Sequence, residues 1–392
     1  MSPAASPPPV APLSVLDLVP VSAGGTPGDA VRRSIDLARR AEAAGYHRYW
    51  LAEHHLSPGL AGASPAVTAA LVASATERIR VGSGAVQLGH HTPLSVVEQF
   101  GLVEAAFPGR VDIGLGRSPS RPSVPPRGAG TAGGAPPAAA ARPAPAGRRL
   151  ESGLYLPPPY RHPPTGPVRD RTARMFELIT LPGAEANGYA RQVDDILGLL
   201  AGTHRVKAEG PVRAVPGEGA RVEVWVVGSS AGESAEVAGA RGLPFAASYH
   251  ISPGTVLEAV DAYRKAFRPS AQLAQPRVLV SADVVVGTDD AHAAHLALPF
   301  GRWVLSSRVG EEGAIPFPSP AQAAAEPLTP AERELVADRV ETQVVGSAAT
   351  VAAKLRVLQE ATGADELIVT TITHDHADRV RSYELLAREW YG

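Results

Sequence analysis

The 392-residue chain has no cysteine, which excludes disulfides, thiolate metal sites and a cysteine nucleophile while leaving the compartment open. It also lacks an excess of either charge. Thirty-seven Lys and Arg are interspersed with 39 Asp and Glu, so neither a nucleic-acid groove nor a basic membrane face is expected. The first residues, MSPAASPPPVAP, have no basic segment and no apolar stretch of the secretory kind, so a cytoplasmic location is the expectation. No apolar run is long and uninterrupted enough to span a bilayer. Small molecules are the expected partners, and a hydrophobic fraction of 44% is enough for a substantial core.

The Pro/Ala/Ser arm at 1–12 cannot bury enough apolar surface to offset its chain entropy, and the fold is expected over 13–392. Leu13 to Val19 is a near-continuous apolar run of the kind a strand buried on both faces requires, with Asp17 as the exception. Thr26-Pro27, Ser64-Pro65 and Thr92-Pro93 each read as an N-cap followed by the first helical residue. Between and after these helices, Tyr46 to Glu53, Ile79 to Val86 and Val111 to Gly116 read as strands. Further strands are expected at Val222 to Val227, Pro244 to Ser248, Arg277 to Val286 and Glu366 to Ile372. Helices are expected at Arg171 to Leu181, Asn187 to Gly202, Pro253 to Phe267, Asp289 to Gly310, Ser347 to Thr362 and His376 to Trp390. Pro316 to Pro330 reads as a loop.

Eight strands in β/α alternation make a (β/α)8 TIM barrel the expected fold. An open doubly wound sheet is the rival, against which stands the lack of a GxGxxG after the first strand. The alternation is interrupted at 118–168, which holds 14 of the 38 prolines in a Pro/Ala/Gly-rich stretch and reads as an insertion after the fourth strand.

Chemistry is expected where strands end. Seven of the twelve histidines follow strands: His54 and His55, His90 and His91, His250, and His374 and His376. They would crowd one mouth, although adjacent residues point to opposite faces, so at most one of each pair should look inward. Gly228, Ser229 and Ser230 end a strand directly before a helix, where N–H groups and hydroxyls suit an anion such as phosphate. Arg117, at the end of LGLGR, is placed to meet the same anion, or else to form a salt bridge on the rim. Gly82 and Gly84 interrupt an apolar strand, which suits a bulge, close packing or something flat lying on the backbone. A metal-dependent hydrolase is disfavoured because no HxH lies at the first strand, and no metal ligand set is assigned.

Taken in order, YWLAEHH, RVGSGAVQLGHHTPLSVVEQF, FPGRVDIGLGRSP, VEVWVVGSSAGESAEVAGARGLPFA and DELIVTTITHDHADRVRSYELL resemble the bacterial luciferase-like flavin-dependent monooxygenases. The resemblance implies a TIM barrel with reduced FMN in its mouth, O₂ and a small organic molecule as co-substrates, and a separate flavin reductase. By position it implies that His54 is the active-site histidine and that Arg117, Gly228, Ser229 and Ser230 hold the flavin phosphate. Gly84-Ala85 would be a non-prolyl cis peptide beneath the flavin ring. His54 would then transfer a proton or donate a hydrogen bond, imidazole ordinarily titrating near neutrality. Relatives often pair through barrel helices, which allows a homodimer. Related barrels use the deazaflavin F420 for hydride transfer, and others bind flavin without turnover, so both readings stay open.

Overall fold

A computed structural model of the chain describes residues 10–117, 146–161, 163, 165–179, 188–206, 210 and 212–392. Eight parallel strands form a closed ring: β1 Leu13–Asp17, β2 Arg48–Leu51, β3 Arg80–Ser83, β4 Val111–Gly116, β5 Glu223–Gly228, β6 Phe245–Ala247, β7 Val278–Gly287 and β8 Glu366–Thr370. Each pairs with its sequence neighbours, and β8 returns to β1 with Leu13 opposite Leu367. The expected (β/α)8 TIM barrel is therefore the fold.

The helices begin where the cap-plus-proline signals place them. Helix α1 (Pro27–Ala43) starts with a complete capping box between Thr26 and Asp29. Thr92 likewise caps α3 (Pro93–Ala106), whereas Ser64 makes no side-chain bond at the start of α2 (Pro65–Ala73). The buried faces of these helices pack on the outside of the barrel. Asp17, the charged residue in an otherwise apolar strand, is on that outer side. It is fully buried, takes a hydrogen bond from Tyr49 Oη, and pairs with Arg379 at 2.6 Å. It thereby seats the C-terminal helix His376–Tyr391 against β1.

Inside the ring a second core holds Leu16, Trp50, Trp225, Leu279 and Ile368, with the indoles of Trp50 and Trp225 edge to face. Beneath it, at the N-terminal ends of the strands, Arg48 is fully buried and bonds Asp112 and Glu366, each at 2.6 Å. Arg80 pairs with Asp112 at 2.5 Å, and Arg277 reaches Glu223 and Glu366, both at 3.5 Å. Three guanidiniums thus balance three carboxylates, and the Trp50 indole N–H donates to Asp112 at 2.9 Å. This charge balance serves stability, since the chemistry of such barrels is at the other end.

Several expectations change. Ile79 to Val86 does not run as one strand: β3 stops at Ser83, and Val86–Gln87 resumes as a short pairing with β4 beyond the cis Gly84–Ala85 peptide. Asp289 to Gly310 is two helices, Asp290–Ala297 and Phe300–Val309, because Pro299 cannot continue the first. The Pro316 to Pro330 loop contains a short helix, Pro320–Ala325, and a further helix, Pro330–Val340, follows it. Residues 1–9 of the arm and 118–145 of the low-complexity stretch lie outside the described residues. The remainder of that stretch is not a featureless loop. Arg148–Arg149 pairs antiparallel with Tyr155–Leu156, and Leu154 and Leu156 are buried.

Candidate active site

A cavity of about 800 Å³ opens at the C-terminal ends of the strands. Its floor is apolar, with Leu16, Trp50, Leu279 and Ile368 from the inner core. Gly84 and Ala85, joined by a cis peptide, lie at its edge. A β-carbon on Gly84 would come within 2.8 Å of Leu16 Cδ1, and one on Gly82 within 2.4 Å of the Asp112 carbonyl oxygen. Close packing accounts for Gly82, which lies within β3, while Gly84 keeps the cavity wall free of side-chain bulk.

His54 lines this cavity and His55 does not, as opposite-facing neighbours require. The His54 backbone N–H donates to Gly62 O at 2.7 Å, which fixes the chain as it leaves β2. Burial, aided by the adjacent His55, pushes the His54 pKa down to about 4, and among the described residues the buried Nδ1 has no partner. The expectation of an imidazole titrating near neutrality is therefore corrected: at pH 7 the ring is neutral and can accept a proton, or donate one hydrogen bond, but does not arrive charged.

Glu53 explains the neighbouring histidines. Its buried Oε1 accepts from His55 Nε2 at 2.8 Å and His91 Nε2 at 2.9 Å, while Oε2 accepts from the Gln87 N–H at 2.8 Å. Burial alone would raise this carboxyl, but the His55, His91 and Gln87 bonds outweigh it and hold the pKa at about 2. The carboxylate thereby ties the loop after β2 to the loop after β3. His90 packs edge-on to His55, His374 Nδ1 donates to Phe317 O at 3.1 Å, and His376 meets Asp36 at 2.9 Å on α1. Of the seven histidines that follow strands, only His54 and His250 line the large cavity.

Gly228, Ser229 and Ser230 stand together at one end of the cavity, where β5 gives way to α6 (Glu233–Ala240). Thr255 Oγ1 donates to Ser229 O at 2.6 Å and pins the turn. Arg117 joins them, so the structure brings the four residues to one place. The rim salt bridge is present as well: Arg117 Nη1 lies 3.5 Å from Glu233 Oε2, with both side chains about half exposed. Trp303, Arg308 and Arg339 also line the cavity. Tyr160, from the described end of the Pro-rich stretch, lies 3.8 Å from the Arg308 guanidinium and lines the cavity with Pro158 and Pro159.

Among the lining residues given no role from the sequence are His250, Ser281 and Arg339. His250 is buried after β6 and its Nδ1 lies 2.5 Å from Ser281 Oγ on β7. Its place after a strand was visible, but its partner on another strand was not. Arg339 belongs to the helix Pro330–Val340, which follows the stretch read as a loop.

The chain matches the model of the luciferase-like monooxygenases over residues 12–142 and 179–366. It is 35% identical to the uncharacterized protein YvbT of Bacillus subtilis, with 96% of each chain covered, and 32% identical to a luciferase-like monooxygenase of Escherichia coli K12, with 95% of each covered. A crystal structure of apo-MsnO8 superposes with a TM-score of 0.74 at 29% identity, covering 97% of this chain and 98% of that one. Two more distant structures share the fold: the oxygenating constituent of a 3,6-diketocamphane monooxygenase in complex with FMN, at 18% identity and TM-score 0.63, and an F420-dependent secondary alcohol dehydrogenase, at 14% and 0.58. The barrel, the cavity at its mouth and the match along most of its length place this chain in the luciferase-like monooxygenase family.

Proposed function

We propose that this protein is a flavin-dependent monooxygenase that uses reduced FMN and O₂ to oxygenate a small organic molecule, with a separate reductase supplying the flavin. The observation that carries this reading is the make-up of one cavity, with Arg117, Ser229 and Ser230 at one end, an apolar floor beneath, and His54 in the wall. That donor set suits a phosphate and that floor suits a flat, largely apolar ring, so the residues fit FMN. Ser229, Ser230 and Arg117 would hold the phosphate, and Gly84-Ala85 would underlie the ring. When bound, the flavin supplies the activation of O₂.

The rest falls to the chain. Leu16, Trp50 and Ile368 exclude water from the floor, which strengthens every polar interaction above it. His54, neutral, offers the cavity its accessible Nε2 rather than the buried Nδ1, to hold a hydrogen bond to the reacting oxygen or take a proton from the substrate. Glu53 keeps His54 in register from the adjoining loop.

The test is a titration with reduced FMN followed by an aerobic substrate screen with O₂ uptake as the readout. Saturable FMN binding and substrate-dependent O₂ uptake are expected. Oxidation that needs no O₂ and reduces F420 would replace this reading with hydride transfer, and flavin binding with no turnover on any substrate would replace it with a binding role.

A further inference from the structure

The wall of the cavity near His250 has chemistry that the flavin reading does not use. Three guanidiniums line the cavity, those of Arg171, Arg308 and Arg339. Arg308 is fully engaged, forming a bidentate pair with Asp338 at 2.5 and 2.8 Å and donating to Leu335 O. Arg171 gives its two terminal nitrogens to Ser307 O and Gly310 O. Arg339 differs. Only Nη2 is engaged, with Asp283 at 2.9 Å, and among the described residues its buried Nε has no acceptor. Nη1 likewise has no acceptor among the described residues and is not buried, so it is the nitrogen that a ligand oxygen can reach. With Asp283 and Asp338 as the carboxylates beside them, the three guanidiniums leave one positive charge in excess, a field that favours an anion.

His250 completes the arrangement. Nδ1 of His250 is engaged by Ser281 Oγ at 2.5 Å; with the ring assigned as the Nδ1–H tautomer, Ser281 accepts that proton and Nε2 keeps the lone pair. Burial, with Arg339 and His54 nearby, pushes the pKa of this ring down to about 3, so it stays a neutral acceptor.

We propose that Arg339 and His250 form a subsite for an organic acid, the guanidinium receiving its carboxylate and His250 Nε2 accepting from a hydroxyl or N–H on the same molecule. Calling that acid the substrate rests on the monooxygenase reading, but the binding itself does not.

The experiment titrates the full chain by calorimetry, with and without FMN, using benzoate, 3-hydroxybenzoate and benzyl alcohol at fixed ionic strength. Benzoate should bind more tightly than benzyl alcohol, and 3-hydroxybenzoate more tightly still. Arg339→Gln should weaken benzoate about tenfold or more, the scale of a lost charged hydrogen bond, and leave benzyl alcohol nearly unchanged. His250→Phe should remove the advantage of 3-hydroxybenzoate and keep benzoate binding. Should Arg339→Gln fail to fold, the double variant Arg339→Gln/Asp283→Asn removes the orphaned carboxylate and takes its place. In the wild type, 3-hydroxybenzoate should shift the His250 imidazole nitrogen resonances and benzyl alcohol should not.

Equal binding of benzoate and benzyl alcohol, no benzoate binding at millimolar concentration, or unchanged benzoate affinity in the Arg339 variant would each overturn the subsite. Failure of FMN to bind while the acid titration behaves as expected would overturn the monooxygenase reading alone.

Discussion

Arg117 and Glu233 face each other at 3.5 Å beside the Ser229-Ser230 turn, so the cation best placed for a phosphate already holds a carboxylate. An incoming phosphate must compete with Glu233 for it. Arg117→Ala should weaken FMN binding by about 1.5 to 3 kcal/mol. Glu233→Gln should strengthen it by up to about 1 kcal/mol, since the pair is partly exposed and screened. Flavin fluorescence titration measures both. Two unchanged affinities would make the pair a rim contact and nothing more.

For His54, replacement by Asn should leave the melting temperature and FMN affinity close to wild type while slowing product formation by about 10² to 10⁴, the usual range for acid–base help. With its pKa held near 4 by burial, His54 should add no inflection to the rate profile between pH 5.5 and 8. An inflection near 6.5 that vanishes in His54→Asn would show an ordinary, solvated imidazole.

Acid stability follows from the same burial. His250 has a folded pKa of about 3 against an ordinary 6.5, so below 6.5 the unfolded chain binds a proton that the folded chain refuses. Its contribution is fully present above pH 6.5 and declines as the pH falls towards 3, at about 1.4 kcal/mol for each pH unit crossed. Chemical denaturation at pH 7, 5.5 and 4.5 should show that decline in the wild type and a shallower one in His250→Phe. Parallel slopes would mean that the folded ring takes up the proton.

At the opposite end of the barrel, Arg48→Met should cost about 3 to 5 kcal/mol, because it leaves Asp112, Glu223 and Glu366 with two guanidiniums between them and removes the one that is fully buried. Arg48→Met combined with Asp112→Asn should recover part of that loss. FMN affinity of the folded fraction should not move, and a specific loss of flavin would tie this network to the mouth.

The barrel was legible because its signals are local and repeated: apolar runs of strand length, each followed by a capped helix. The Asp289 to Gly310 reading failed by overlooking Pro299 as a break. The reading of 316–330 passed over Ser319-Pro320 with Gln322 and Thr329-Pro330 with Glu332, which form complete capping boxes. These carry the same cap-plus-proline signal that was read correctly at Thr26, and missing the second hid the helix that bears Arg339. The site was legible only in part, for a different reason. His54 and the Gly228 to Ser230 turn advertise themselves at strand ends, but whether a histidine serves the cavity depends on which side chain claims it, and for His91, His250 and His376 that partner is far along the chain. Glu53 claims His55 and His91, Asp36 claims His376, and Ser281 orients His250. No spacing rule connects those pairs. The Pro-rich stretch misled through composition, since a few residues, Leu154, Leu156 and Tyr160, anchor its described end.

The balanced charges around Arg48, topped by Trp50 and Trp225, make the barrel a cul-de-sac. Among the described residues, traffic into it runs through the mouth at the C-terminal ends of the strands. Whatever binds deepest must arrive first and depart last, so turnover in such a vessel obeys an order of entry set by architecture, and a slow-leaving product at the doorway would hold back the exchange of anything behind it.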